Sequence, residues 1–152
     1  DVVTRRSVTA ILLFINNTPV CWYSKKQRTV ETSTYGAELV AARIATDMII
    51  EMCFILCMLG NPVDGPALLL GDNNSVVLNT SVPSSILKKK HHACAYHRVR
   101  EAIAGGIMTF VHIKGITNYA DMLSKPLSND TFHGLIKPLL FRVPKTGREK
   151  EG

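Results

Sequence analysis

From Ser33 to Leu59 the apolar residues recur at helical spacing: Leu39, Ala42, Ile49, Cys53 and Leu56 fall on one side of a helix that Gly60-Asn61-Pro62 stops. A helix of that length needs a large apolar surface to cover, and the flanking sequence supplies strands. Val8 to Ile15 (VTAILLFI) is an apolar run ending in the turn signal Asn16-Asn17-Thr18-Pro19, and Val20 to Ser24 (VCWYS) reads as the return strand of a hairpin. Beyond the helix, Ala67 to Leu70 is a short buried-type strand that runs directly into Gly71-Asp72-Asn73-Asn74. A second helix is expected from near Pro83-Ser84-Ser85 to the paired Gly105-Gly106. Ile107 to Ile113 then reads as a strand, and Asp121 to Leu123 and Asp130 to Leu140 as short helices. The order strand, strand, helix, strand, helix, strand, helix predicts an α/β fold with a mixed sheet covered by helices.

Composition fits one such domain. Of 152 residues 46% are hydrophobic and 20% charged, enough for one core without a staple and too apolar for a disordered chain. The most apolar run, Met48 to Leu59, is short and contains Glu51, so no membrane span is expected. The formal charge is +6, which favours a polyanionic partner, nucleic acid first. Part of that excess lies in Arg142, Lys145, Arg148 and Lys150, so residues 142–152 read as a basic, disordered tail. Cys21, Cys53, Cys57 and Cys94 form no CxxC pair; the apolar company of Cys53 and Cys57 marks them as core thiols, and no disulfide-linked partner is expected. His91, His92, Cys94 and His97 lack the paired spacing of a structural zinc site. Trp22 is expected in the core, because of the area it can bury.

Three acidic residues stand where a solvated charge is not expected. Asp72 follows an apolar strand, at the exit where open α/β sheets place their sites. Glu38 lies in the first turns of the long helix among small and apolar residues, and Asp121 opens the helix after the last strand. Each has an ordinary structural role available, capping for the aspartates and a favourable helix-start charge for Glu38. Together, on separate elements of a basic α/β chain, they suggest a site for Mg²⁺, which takes few protein ligands and keeps several waters.

Six ordered blocks then match one family: Thr4-Arg5-Arg6-Ser7 with Thr9; Trp22-Tyr23-Ser24-Lys25-Lys26-Gln27; Ser33-Thr34 with Ala37-Glu38; Asp72-Asn73 with Ser75; Lys90-His91 with Tyr96-His97 and Val99-Arg100-Glu101; and Ala120-Asp121-Met122-Leu123-Ser124-Lys125-Pro126-Leu127. In these the chain resembles the ribonuclease H domain of copia-type retrotransposon polyproteins, over nearly everything from Thr4 to about Leu140. The resemblance implies a ribonuclease H-like domain over residues 1–141. It implies hydrolysis of the RNA strand of RNA–DNA hybrids with two Mg²⁺ ions, or Mn²⁺ in their place, held by Glu38, Asp72 and Asp121. It also implies an upstream reverse transcriptase segment as partner, and an intracellular setting in a cytoplasmic virus-like particle or the nucleus.

The family's first catalytic aspartate lies on a first, central strand resembling Y-S-D-A-D-W. Only Asp1, Val2 and Val3 precede Thr4 here, and Asp1 aligns with the loop after that strand. A sheet lacking this strand, with a gap or a direct pairing between the 8–15 and 67–70 strands, is therefore expected, and with it a poor nuclease. A catalytically inactive remnant that binds nucleic acid is the alternative reading. Ala10, Ala93 and Asn118 depart from the family's usual Gly, Asp and Gln. For backbone contacts to the hybrid the candidates are Arg5, Arg6, Lys25, Lys26, Asn73, Lys90 and Arg100.

Overall fold

The computed structural model describes residues 6–28, 33–87 and 90–140. Among them the elements run β1 (Val8–Ile15), β2 (Thr18–Lys26), α1 (Thr34–Met58), β3 (Ala67–Gly71), α2 (Asn74–Ser81), α3 (Ala93–Ala104), β4 (Met108–His112), α4 (Asp121–Ser124) and α5 (Asn129–Ile136). Arg5, Lys88, Lys89 and the tail from residue 141 onward lie outside the described residues.

β1 and β2 form an antiparallel hairpin from Val8↔Lys26 to Ile15↔Thr18. Its turn places Asn16 at φ 54, a left-handed conformation that Asn tolerates better than most residues. β3 and β4 pair in parallel from Ala67↔Met108 to Gly71↔His112. Parallel neighbours require a crossover, and here α2 and α3 provide it. α1 packs against β1, β3, α2 and α3, so it underlies both pairs of strands. It starts on Ser33, whose side chain accepts from the Gly36 N–H. It stops where expected: Gly60 turns left-handed at φ 80, while the Asn61 and Gly60 amides donate to the Leu56 and Cys57 carbonyls.

The α/β class holds, but the single mixed sheet does not form. Among the described residues β1 pairs only with β2 and β3 only with β4, as two separate two-stranded sheets. The direct pairing of β1 with β3, one of the two arrangements expected, is therefore not present among the described residues.

The core lies on the β3–β4 side. Leu39, Ala42 and Ile49 of α1 meet Val76 and Val77 of α2, Tyr96, Val99 and Ala102 of α3, and Met108 and Phe110 of β4. Leu13 is the hairpin residue that packs against this cluster, and it is only partly buried.

Three local expectations need correction. The helix expected from Pro83 starts only at Ala93, as α3, and stops at Gly105 as expected; a separate helix, α2, was not expected and begins on Asn73, whose Oδ1 accepts from the Ser75 and Val76 amides. Pro83 instead lies in a turn, to whose Val82 and Pro83 carbonyls the Arg100 guanidinium donates at 2.8 Å each. Trp22 is 70% exposed, because strand alternation in β2 sends it outward with Val20 while Cys21 and Tyr23 turn inward. Cys57 is exposed as well, because it falls in the last turn of α1 with Met58 and Leu59, where the helix has run past its cover; Cys53, one turn earlier, packs on the core.

Candidate functional site

Each of the three carboxylates is placed by a local feature that leaves it without its ordinary structural role. Asp72 leaves β3 after Gly71, where a side chain is barred: a Cβ there would lie 2.8 Å from Phe110 Cε2. Capping of α2 falls to Asn73, not to Asp72. The loop beyond β4 closes on the same residue, with a Cβ at Gly115 lying 3.6 Å from Asp72 Oδ2. His112 Nε2 lies 3.2 Å from the Asp72 carbonyl oxygen. Asp121 opens α4, but Ala120 occupies the cap position, and Asn118 Oδ1 turns the chain by accepting from the Ala120 N–H at 3.1 Å. Glu38 sits beyond the first turn of α1, where the helix-start field has faded.

Glu38 and Asp121 line one groove of about 260 Å³, between the start of β1, the first turns of α1 and α4. The groove takes in two of the three, and Asp72 is not among its lining residues. Glu38 reaches solvent, yet the protein packed around its carboxyl raises its pKa, and the nearby charges of Asp72 and, more weakly, Asp121 add to that rise; Lys125 opposes them. Lys125 Nζ donates to Asp121 Oδ1 at 2.9 Å and to Oδ2 at 3.0 Å. Removal from water works against the Lys125 charge, but the bond to Asp121 and the charges of Asp121, Asp72 and Glu38 prevail and raise its pKa. Three carboxylates from three elements therefore share one electrostatic neighbourhood.

This donor set has the chemistry of a site for a hard divalent cation. It is loose, however. Among the described residues no three Asp, Glu, His or Cys side chains close on a point tightly enough to hold an ion. The cation found there is Lys125.

The basic candidates fall into separate groups. Lys25 and Lys26 end β2, both exposed, and Arg6 is exposed just before β1. Lys90 and Arg100 line a second groove with Tyr96 and His97. Arg100 is largely committed to the loop after α2, where it donates to the Asn79, Val82 and Pro83 carbonyls and lies over the Tyr96 ring. Asn73 has its Oδ1 engaged in the cap. Two groove residues, Gln27 and Lys125, were part of the sequence blocks but not singled out as site residues. For Lys125 a signal existed: it stands four residues after Asp121, one helical turn on.

The chain is similar to a segment of retrotransposon Pol polyproteins. It is 27% identical over 139 residues to the Retrovirus-related Pol polyprotein from transposon RE2 of Arabidopsis thaliana. It is 28% identical over 139 residues to the Retrovirus-related Pol polyprotein from transposon RE1 of the same plant. Each match takes in 91% of this chain and 10% of the relative, so the chain spans about a tenth of the length of the curated relatives it matches. No protein-family model and no solved structure matches it. Among the described residues no helix is long and apolar enough to cross a membrane.

Proposed function

We propose that this chain is a ribonuclease H-like segment of a retrotransposon Pol polyprotein, acting on the RNA strand of RNA–DNA hybrids beside the upstream reverse transcriptase segment. One observation carries the reading. Glu38, Asp72 and Asp121 lie far apart in sequence on three different elements, none is used as a helix cap, and the charges of Asp72 and Asp121 both reach Glu38. In that role they hold Mg²⁺, or Mn²⁺ in its place. Bound there, two such ions supply a water that is nucleophilic at neutral pH and positive charge for the leaving 3′-oxygen. The chain's own contribution is to keep the carboxylates converged and to grip the hybrid's phosphates with Arg6, Lys25, Lys26 and Lys90. Contacts to the 2′-hydroxyl are what tell the RNA strand from the DNA strand.

A second reading, binding without cleavage, is favoured by the looseness of the carboxylate cluster and the division of the sheet. Both readings are tested on one labelled hybrid in Mg²⁺. The 152-residue chain should bind it, less tightly as salt rises, and cut it slowly or not at all. With a strand of the Y-S-D-A-D-W type placed ahead of Asp1, cleavage should appear and be lost again in Asp72→Asn. RNA that stays intact with that strand present establishes the binding-only reading.

A further inference from the structure

The groove beside Glu38 sets two carboxylates, Glu38 and Asp121, against one lining cation, Lys125. Gln27, which lines it, is 7% exposed, and its Nε2 donates to Thr9 Oγ1 and to the Ala37 carbonyl, each at 2.9 Å. A carbonyl can only accept, so the amide cannot be turned over, and its Oε1 is left buried with no partner. A buried acceptor left unpaired is costly and calls for a donor from outside the chain. Glu38 and Asp121 add carboxylate oxygens to the same wall.

One cation stands among the described lining residues, Lys125. It spans both Asp121 oxygens, but the two side chains are held very differently: that of Lys125 is 56% exposed and that of Asp121 16%. The lysine is the solvent-facing partner of the pair and the aspartate the covered one. A single ammonium also leaves Glu38, Asp72 and Asp121 with net negative charge.

We infer that Lys125 is the groove's resident cation, a positioning residue that holds Asp121 until a hydrated divalent cation displaces it. The ion brings the second positive charge that the lysine lacks. Because Mg²⁺ and Mn²⁺ keep several of their waters, it also brings donors for the lining carboxylates. The displacement rests on the divalent-cation reading of Glu38, Asp72 and Asp121 given above.

The test is Mn²⁺ binding, followed by loss of the free-ion paramagnetic resonance signal, in the wild-type chain and in Lys125→Met, Lys125→Arg and Asp72→Asn. Lys125→Met should bind Mn²⁺ about fivefold more tightly, as expected when a half-exposed competing ion pair is removed. Lys125→Arg should stay close to wild type, and Asp72→Asn should lose affinity. A lysine that only braces α4 would lower the melting temperature when replaced and leave the affinity unimproved. If Lys125→Met does not fold, Lys125→Gln carries the same expectation. Wild-type binding that Lys125→Met leaves equal or weaker overturns the displacement and leaves the metal reading standing. No binding by any of the four chains overturns the metal reading itself, and the displacement with it.

Discussion

The β3–β4 half and the β1–β2 half of this molecule are held in different ways. Around β3 and β4 the chain builds a closed unit, in which two parallel strands, their crossover helices and α1 bury an apolar cluster containing Leu39, Val76, Val99 and Met108. The hairpin has little of this. Thr9 and Ile11 are its buried inward residues, and Gln27, bonded to Thr9 on the hairpin and to the Ala37 carbonyl of α1, ties it to the helix. α4 packs on β1 and β2, and Ser24 Oγ donates to the Leu123 carbonyl at 2.7 Å. The site crosses this division. Asp72 belongs to the closed unit, Asp121 to the helix lying on the hairpin, and Glu38 to the helix beneath both. Carboxylate convergence is therefore only as firm as the grip between the halves, whose strands do not pair with one another among the described residues.

The largest effect should come from the element both halves share. Leu39 of α1 is fully buried, and Leu39→Ala removes packing from the cluster on which everything else rests. A loss of about 2–5 kcal/mol is expected in urea unfolding, with hairpin and helical signals lost in one transition. Two separate transitions would show that the hairpin does not depend on the core at all.

Gln27→Leu breaks the comparison from the other side. It removes the bonds from Nε2 to Thr9 and Ala37 while leaving the apolar cluster untouched. About 1–3 kcal/mol should be lost, because Thr9 and Ala37 are left with buried groups unpaired. Amide exchange should rise in β1 and β2 and stay unchanged in α3 and β4. Uniform acceleration across the chain would mean that the two halves open together.

Gly71→Ala acts within the closed half. Its methyl would meet Phe110 Cε2 at 2.8 Å and Cζ at 3.0 Å, so strand or ring must shift, at a cost of about 1–3 kcal/mol. Asp72 is the next residue and should move with the strand, weakening Mn²⁺ binding. Phe110→Leu in the same chain should restore part of the stability by making room. Full stability in Gly71→Ala alone would show that the strand exit is looser than its packing suggests.

Sequence pattern revealed the elements better than their partners. The hairpin, the long helix with its glycine stop and the two parallel strands follow from periodicity and turn residues, because those signals are local. α2 has no apolar periodicity to announce it and rests on the cap that Asn73 supplies, although Asn is among the best helix starters. Trp22 was misplaced because bulk was weighed above strand parity, which puts it on the same face as Val20. For the site, the positions of Glu38, Asp72 and Asp121 were legible, but their looseness and the lysine among them were not. Those depend on how the two halves meet, and no stretch of sequence encodes that locally.

The smallest effect concerns Glu38, which faces both halves. Burial of its carboxyl, then Asp72 and Asp121, hold its pKa above the ordinary glutamate range, against the pull of Lys125. Between the unfolded-chain value and the raised one, the folded chain binds more protons than the unfolded chain. The group's favourable contribution is therefore complete below the unfolded value and is lost as pH climbs through the folded one. At neutral pH the ionised carboxylate is a net cost, and Glu38→Gln should remove it. Discounted for the solvent that reaches the side chain, the gain at neutral pH is about 0.5 kcal/mol, a rise of about 1–2 °C in melting temperature. In acid, below the ordinary glutamate value, wild type and variant should melt together. Mn²⁺ binding should fall at the same time, since the variant gives up one of three carboxylates. If Glu38→Gln is less stable than wild type at neutral pH, Lys125 outweighs the neighbouring carboxylates, and the halves are drawn together at this point by charge, not strained by it.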